Sequence, residues 1–261
     1  MANYEDLKGK VALITGAAGG IGAAVAKAFL EQGSKLALVD ISADGLAKLA
    51  ADLRAPSGQV ITCVADTSKE EDVKAYVDAT VKAFGTIDVF FNNAGIEGKV
   101  APLVDQNMAD VDRVFAINIR GTYMGLKYVL PIMYAKKSGS VINTSSVGGL
   151  VAGPGLGVTP YVTSKFAITG LTRLASNEAA PYKVRINSVH PSPVNTEMMR
   201  RLEEGFAPGH GSEAQAGIAA GIPLGRYAEA SDIASAVLFL ASDASCFVTG
   251  DQLRVDGGEL S

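Results

Sequence analysis

KVALITGAAGGIG, residues 10–22, joins three local signals in one run. Residues 10–15 are short, apolar and rich in branched side chains, as in a strand covered on both faces. Residues 15–22, TGAAGGIG, are glycine-rich and open an apolar helical pattern. Gly16, Gly20 and Gly22 let backbone come close to a pyrophosphate. The helix start around Ile21 adds free N–H groups and the positive end of a helix dipole. A tight turn needs glycine in any case, but a strand before it and a helix after it make the turn a dinucleotide-binding one. No Lys-Ser/Thr follows the last glycine, so the run is not a Walker loop.

Six more short apolar runs repeat the first: KLALVD (35–40), QVITCVA (59–65), IDVFF (87–91), SVINTS (140–145), VRINSVH (184–190) and QLRV (252–255). Between them lie helical patterns at roughly 20–32, 43–54, 69–84, 106–136, 160–180 and 230–241. Strand–helix–strand repetition predicts an α/β fold: a doubly wound parallel sheet of about seven strands with helices on both faces. No linker or internal repeat divides the 261 residues, so a single domain, 1–261, is expected. Two regions break the pattern. Residues 147–160 are rich in glycine and proline, and residues 192–227 read as a lid-type insertion of weak helices.

The composition narrows the function. At 48% hydrophobic residues the chain can bury a large core, and no uninterrupted apolar run is long enough for a membrane span. A net charge of −4 leaves no basic footprint for nucleic acid. MANYEDLKGK has no cationic start followed by an apolar stretch, and only Cys63 and Cys246 occur, so a reducing cytoplasm is expected. His190 and His210 lack partners at metal-ligand spacing; both are read as structural or surface residues, and no metal is expected.

Asp40 ends the second strand, about twenty residues beyond the glycines, where a carboxylate can accept from both ribose hydroxyls of an adenosine. The cap of the following helix can come from Ser42 instead. A 2′-phosphate would bring roughly 1.5 to 2 negative charges against Asp40. Ala17, Ala18 and Ile41 offer no cation to offset them, so NAD(H) is favoured over NADP(H). Asp66 and Thr67 end the third strand, with Asp66 placed to accept from an adenine amino group. In NNAG (92–95), Asn93 can hold the sheet edge, while Ala94 and Gly95 leave room for a ribose. All of these fall at the carboxyl ends of strands, where such sheets bind ligands.

YVTSK, residues 161–165, places a phenol and an amine four residues apart on one helix face. Alone, that spacing fits a surface pair as well as a proton donor. In order along the chain, TGAAGGIG, NNAG, NIRG (118–121), SVGG (146–149), YVTSK and HPSPVNT (190–196) together resemble the short-chain dehydrogenase/reductase family, in its subgroup of ~250 residues. The resemblance covers nearly the whole chain. It implies a seven-stranded Rossmann sheet, a tetramer or dimer, and a catalytic set of Asn118, Ser146, Tyr161 and Lys165.

In that set Tyr161 is the general acid/base, Ser146 holds the substrate oxygen, and Lys165 lowers the tyrosine pKa and grips the nicotinamide ribose. Asn118 holds a water that resupplies protons. Ser145 competes with Ser146, which is preferred because it directly precedes the V-x-G run. Two extra residues between Ser146 and Tyr161 imply a small insertion in the 150–160 loop. Pro191, Val194 and Thr196 are expected to run past the nicotinamide, although Ser192 stands where the family commonly has glycine.

The pocket is expected to be lined by Glu97, Val147, Gly148, Leu150, Val151, Pro154, Met198, Met199 and Leu202. Most are apolar, and Arg200 and Arg201 are expected to face solvent. A fairly hydrophobic ketone or secondary alcohol of modest size is the expected substrate. A 3-oxoacyl-thioester reductase is the nearest alternative, and Asp40 argues against it, since biosynthetic reductases more often draw on NADPH. A non-catalytic NAD sensor need not keep all four catalytic residues, and a sugar-nucleotide epimerase carries a larger C-terminal domain. Apolar residues on more than one face of 106–136 and 160–180, among them Tyr123 and Phe166, can pack against a partner helix or within the chain itself; the homotetramer expected here is what the resemblance implies.

Overall fold

Every residue of β1 (Val11–Thr15) is buried, because helices cover both faces of the sheet it belongs to. The computed structural model describes residues 2–152 and 157–261. The strands that follow are β2 (Lys35–Asp40), β3 (Val60–Val64), β4 (Val89–Asn92), β5 (Gly139–Thr144), β6 (Val184–Pro191) and β7 (Gln252–Val255). All pair in parallel, in the order β3-β2-β1-β4-β5-β6-β7. The order reverses direction between β1 and β4, which opens a crevice beyond their carboxyl ends.

The helices are α1 (Gly20–Glu31), α2 (Ala43–Leu53), α3 (Glu70–Phe84), α4 (Met108–Phe115), α5 (Thr122–Lys136), α6 (Thr159–Ala179), α7 (Glu197–Phe206), α8 (Gly211–Ala220) and α9 (Ala230–Ala241). One apolar layer joins α1 and α9 to the sheet through Phe29, Ile14, Leu38, Val237 and Leu238. The other packs Tyr76, Phe90, Met124, Val129 and Met133 on the opposite face. Ser42 caps α2, its hydroxyl accepting from Gly45 N at 3.0 Å, as its position predicts. No helix among the described residues is long and apolar enough to cross a membrane.

The stretch 106–136, expected as one helix, is two. A π-helical turn, Ala116–Gly121, joins α4 to α5. Its wider winding turns Asn118 fully inward. Gly121 lies against the β3–α3 connection, where a Cβ would come within 3.0 Å of Thr67 O.

Candidate active site

The carboxyl ends of β1, β4 and β5 are tied by one amide. Asn93 Nδ2 donates to Thr15 O (3.1 Å) and Gly16 O (3.3 Å), and Asn93 Oδ1 accepts from Thr144 Oγ1 (3.1 Å). Thr15 Oγ1 accepts from the Asn93 and Ala94 amides. Behind this edge, Asn92 pairs with Asn143 across β4 and β5, and Asn143 reaches Thr172 on α6. Buried amides of this kind fix strand ends because leaving them unpaired is costly.

The glycine turn forms a cradle no larger side chain would fit. Gly16 has φ +64°, and a Cβ on Gly22 would lie 2.1 Å from Gly16 O. No side chain caps α1, so the first N–H groups around Ile21 point out of the helix without a partner. Thr196 stands opposite: a Cβ on Gly20 would lie 2.8 Å from its Cγ2. Asp40 closes the far end. Its Oδ2 accepts from Ala18 N and its Oδ1 from Ser42 N, both at 3.0 Å, which leaves lone pairs on both oxygens. Ile41 beside it is exposed. Asp66 is held below the usual carboxylate range, first by the Ser68 hydroxyl. The donor set fits a pyrophosphate at the amides of α1 and a diol at Asp40. Pro191 ends β6, and Val194 bridges to Ala228.

Ser146, Tyr161 and Lys165 converge beyond β5. Lys165 is buried, and its Nζ donates to Thr144 O at 2.8 Å and lies 5.3 Å from the centre of the Tyr161 ring. Burial pushes its pKa down to about 8. Burial also pushes the Tyr161 phenol up to about 12; the Ser146 hydroxyl pulls it down and the Glu97 charge raises it further. Desolvation of the phenolate thus outweighs the pull of the Ser146 hydroxyl, and the phenol of the protein alone is not acidified.

The structure separates the two serines. Ser145 is buried, its hydroxyl donating to Lys165 O (3.0 Å) and meeting Thr169 Oγ1 (3.1 Å). Ser146 is half-buried, with an Oγ that accepts from Gly148 N at 3.1 Å. Asn118 is fully buried and tied on three sides. Both of its N–H groups are used, one on Ile96 O and one on Ser164 Oγ (each 2.9 Å), and its Oδ1 accepts from Ile96 N. A water held at Asn118 would therefore donate to one of its oxygens. Asn118 also ties the loop after β4 to Ser164, whose hydroxyl donates to Tyr161 O.

The pocket walls also differ in part from expectation. Glu97 is buried and accepts from Arg201 Nε at 2.5 Å. Arg200 is paired as well, its Nη1 donating to both carboxylate oxygens of the buried Glu203. Met199 packs with Ile222 and Tyr227 under α7, and Leu202 packs against that cluster, so these two serve the small core beneath α7. Met198, Val147, Gly148 and Leu150 are partly exposed and Val151 is exposed, while Pro154 lies outside the described residues.

Sequence reasoning missed Ser164, Asn143, the Glu97–Arg201 pair and the placement of His190. His190 is fully buried on β6, between Ser188 Oγ and Ser146 O. The signal was present: Ser188 and His190 are two apart on a strand and so share a face. A separate cavity of about 400 Å³ sits at the amino edge of the sheet, lined by Asp6, Lys10, Asp88 and Arg185 among others. Its Arg185 is already engaged by Ser245 Oγ and the Ser242 carbonyl. Among the described residues no cluster of three His, Cys, Asp or Glu side chains has metal-ligand geometry.

A family model described as enoyl-(acyl carrier protein) reductase matches residues 16–259. Levodione reductase of Leifsonia aquatica is 42% identical over 253 residues, covering 96% of this chain and 94% of its own. A 3-oxoacyl-[acyl-carrier-protein] reductase of Thermotoga maritima is 36% identical over 252 residues, covering 97% and 98%. The crystal structure of levodione reductase superimposes with a TM-score of 0.93 at 40% identity, covering 99% of this chain and 98% of the other. NAD+-bound xylitol dehydrogenase gives 0.90 at 33% identity, covering 97% and 99%. With its parallel seven-stranded sheet, its glycine cradle and these relatives, the chain belongs to the short-chain dehydrogenase/reductase family.

Proposed function

We propose that this enzyme interconverts a fairly hydrophobic ketone and its secondary alcohol with NAD(H). The carrying observation is the convergence of Ser146, Tyr161 and Lys165 at the sheet edge that also holds the glycine cradle and Asp40. Bound at that edge, the dinucleotide supplies or accepts the hydride. Gly16, Gly20, Ile21, Gly22 and Thr196 would hold its phosphates. Asp40 would hold the adenosine ribose, with Ile41, Asp66 and Thr67 beside the adenine. Asn93, Ala94, Gly95, Pro191 and Val194 would flank the nicotinamide side.

When a ketone is reduced, negative charge builds on the carbonyl oxygen. Tyr161 keeps its proton at neutral pH because burial disfavours the phenolate, so it enters the reaction as a ready acid. Ser146 Oγ already accepts from Gly148 N, which leaves its own hydrogen for the same substrate oxygen. Lys165, fixed on Thr144 O, places positive charge beside the phenol as it gives up its proton. Asn118 holds the helix that carries both residues.

The limited polarity of the walls supports a modest apolar substrate, with Glu97 as the buried exception. A 3-oxoacyl thioester is a second reading, favoured by the Thermotoga relative. Tyr123, Phe166 and Leu174 are exposed on α5 and α6, which supports assembly as a homotetramer. We further read the chain as one domain, with α7 and α8 as its lid, working in the cytoplasm.

The test is hydride transfer followed at the nicotinamide absorbance, with NADH and NADPH, on cyclic ketones, open-chain ketones and an acetoacetyl thioester. Turnover of ketones with NADH, lost in Tyr161→Phe by about 10²- to 10⁴-fold, is expected. Turnover confined to the thioester would replace this reading with the second. Tight NADH binding without turnover on any substrate would make the protein a sensor.

A further inference from the structure

His190 carries no role in the reading above, yet it sits directly behind the reaction centre. It is fully buried at the end of β6. Its Nδ1 lies 2.8 Å from the Ser146 carbonyl, and its Nε2 lies 2.8 Å from Ser188 Oγ. A carbonyl can only accept, so Nδ1 must carry the proton, and Nε2 then accepts from the Ser188 hydroxyl. Burial holds the ring neutral, which keeps this tautomer in place. The Ser146 carbonyl has one other donor, Gly149 N at 2.9 Å, so the histidine is the only side chain holding it among the described residues.

We infer that His190 is a positioning residue, whose Nδ1–H fixes the Ser146 carbonyl and thereby aims the Ser146 hydroxyl at the substrate oxygen. The inference rests on the assignment of Ser146 above. The arrangement joins two segments that must keep register during hydride transfer. One is the turn Ser146–Gly149, which presents the hydroxyl. The other is β6, which runs from His190 straight into Pro191 and on to Val194 and Thr196. Losing the bond frees the turn by rotation about the Ser146 backbone while the cradle for the dinucleotide stays intact. The cost therefore falls on the chemical step, because misplacement of about 1 Å can lower rates about 10²-fold.

The first measurement needs no turnover. The chain has only two histidines, so ¹⁵N-histidine labelling yields two ring systems, His190 and the exposed His210. His190 is expected to show the Nδ1-protonated neutral pattern at pH 7. An Nε2-protonated or charged ring there would overturn the inference. The second measurement compares His190→Leu with His190→Asn, whose Nδ2–H falls where Nδ1–H stood. With the ketone identified by the panel, His190→Leu should lose about 10- to 100-fold in kcat while KM for NADH stays within about threefold, and His190→Asn should recover most of the loss. A His190→Leu enzyme with full kcat, or a folded His190→Asn enzyme as slow as the leucine variant, would overturn it too. Absence of turnover in the unaltered protein would remove the functional reading alone and leave the tautomer result to stand.

Discussion

Lys165 Nζ is anchored to Thr144 O at 2.8 Å, and from that anchor it reaches within 5.3 Å of the Tyr161 ring centre. The amine is thus placed by the end of β5, not by the phenol. Ser145 secures the other end of the same lysine, its hydroxyl donating to Lys165 O. A buried cation held this way costs stability, and that cost depends on pH.

The amine's pKa is lowered to about 8 in the fold from 10.5. Below pH 8 it is charged in both folded and unfolded chains, and the full burial cost applies. Between about 8 and 10.5 the unfolded chain binds a proton that the folded chain has released, so stability rises with pH. Tyr161 acts in the opposite sense above pH 10, where the unfolded phenol ionises and the folded one does not. Without dinucleotide, Lys165→Met should therefore be more stable than the unaltered protein at pH 7, by up to about 3 kcal/mol. The gap should narrow by pH 9.5. Urea unfolding at stepped pH reads this directly, and a gap that stays constant with pH would contradict it.

Asp40 offers a test of cofactor choice. Its two oxygens support the turn through Ala18 N and Ser42 N, so Asp40→Ala should weaken binding of both dinucleotides. It also removes the charge that repels a 2′-phosphate. The NADH-to-NADPH ratio of kcat/KM should fall at least about tenfold, worth about 1.4 kcal/mol. Steady-state kinetics with both cofactors settle it; an unchanged ratio would mean that Asp40 only shapes the turn.

Asn118 joins Ile96 to Ser164, and Ser164 joins Tyr161 O. Asn118→Ala leaves the Ile96 amide and carbonyl unpaired in a half-buried site and should cost about 1–3 kcal/mol, more than the loss at Ser164 alone. It should also lower kcat, since the helix that presents Tyr161 loses its tie. Ser164→Ala, which removes two neutral bonds, one accepted from Asn118 Nδ2 and one donated to Tyr161 O, should cost less, about 1–2 kcal/mol. Urea midpoints for the two variants should fall in that order. Equal stability of Asn118→Ala and the unaltered protein would refute the tie.

How far these residues could be read in advance follows from their physics. The bounds of β2, β7 and α9 were legible because each is a short uninterrupted apolar run or amphipathic pattern closed by polar residues or glycine. The cradle was legible because glycine placement is a local steric demand. The π turn at Ala116–Gly121 was not, since one extra residue in a helix leaves the apolar spacing nearly intact. The ties of Asn118 to Ile96 and Ser164 are not legible, because those partners are 22 and 46 residues distant. Arg201 was expected in solvent, and it is largely exposed; only its Nε reaches Glu97, 104 residues away. Charge alone carries no record of such a partner. Met199 and Leu202 read as pocket wall in the sequence, because a small core under a helix and a pocket wall share an apolar composition.

Glu97 connects α7 to Tyr161, the proton donor proposed above. Its carboxylate is buried, accepts from Arg201 on α7, and raises the Tyr161 pKa by its charge. Alcohol oxidation requires the phenolate, so the rate should rise with pH as Tyr161 ionises. Glu97→Gln removes the repelling charge, lowers the phenol pKa, and should move the rising limb of kcat/KM to lower pH. Arg201→Ala leaves the carboxylate without its counter-charge, strengthens its field at the phenol, and should move the limb to higher pH. Opposite shifts in the two variants are the expected signature, read from pH–rate profiles for oxidation of the alcohol at saturating cofactor. If both limbs moved the same way, or neither moved, the field of Glu97 would not reach the phenol, and the ion pair would serve only to fasten α7.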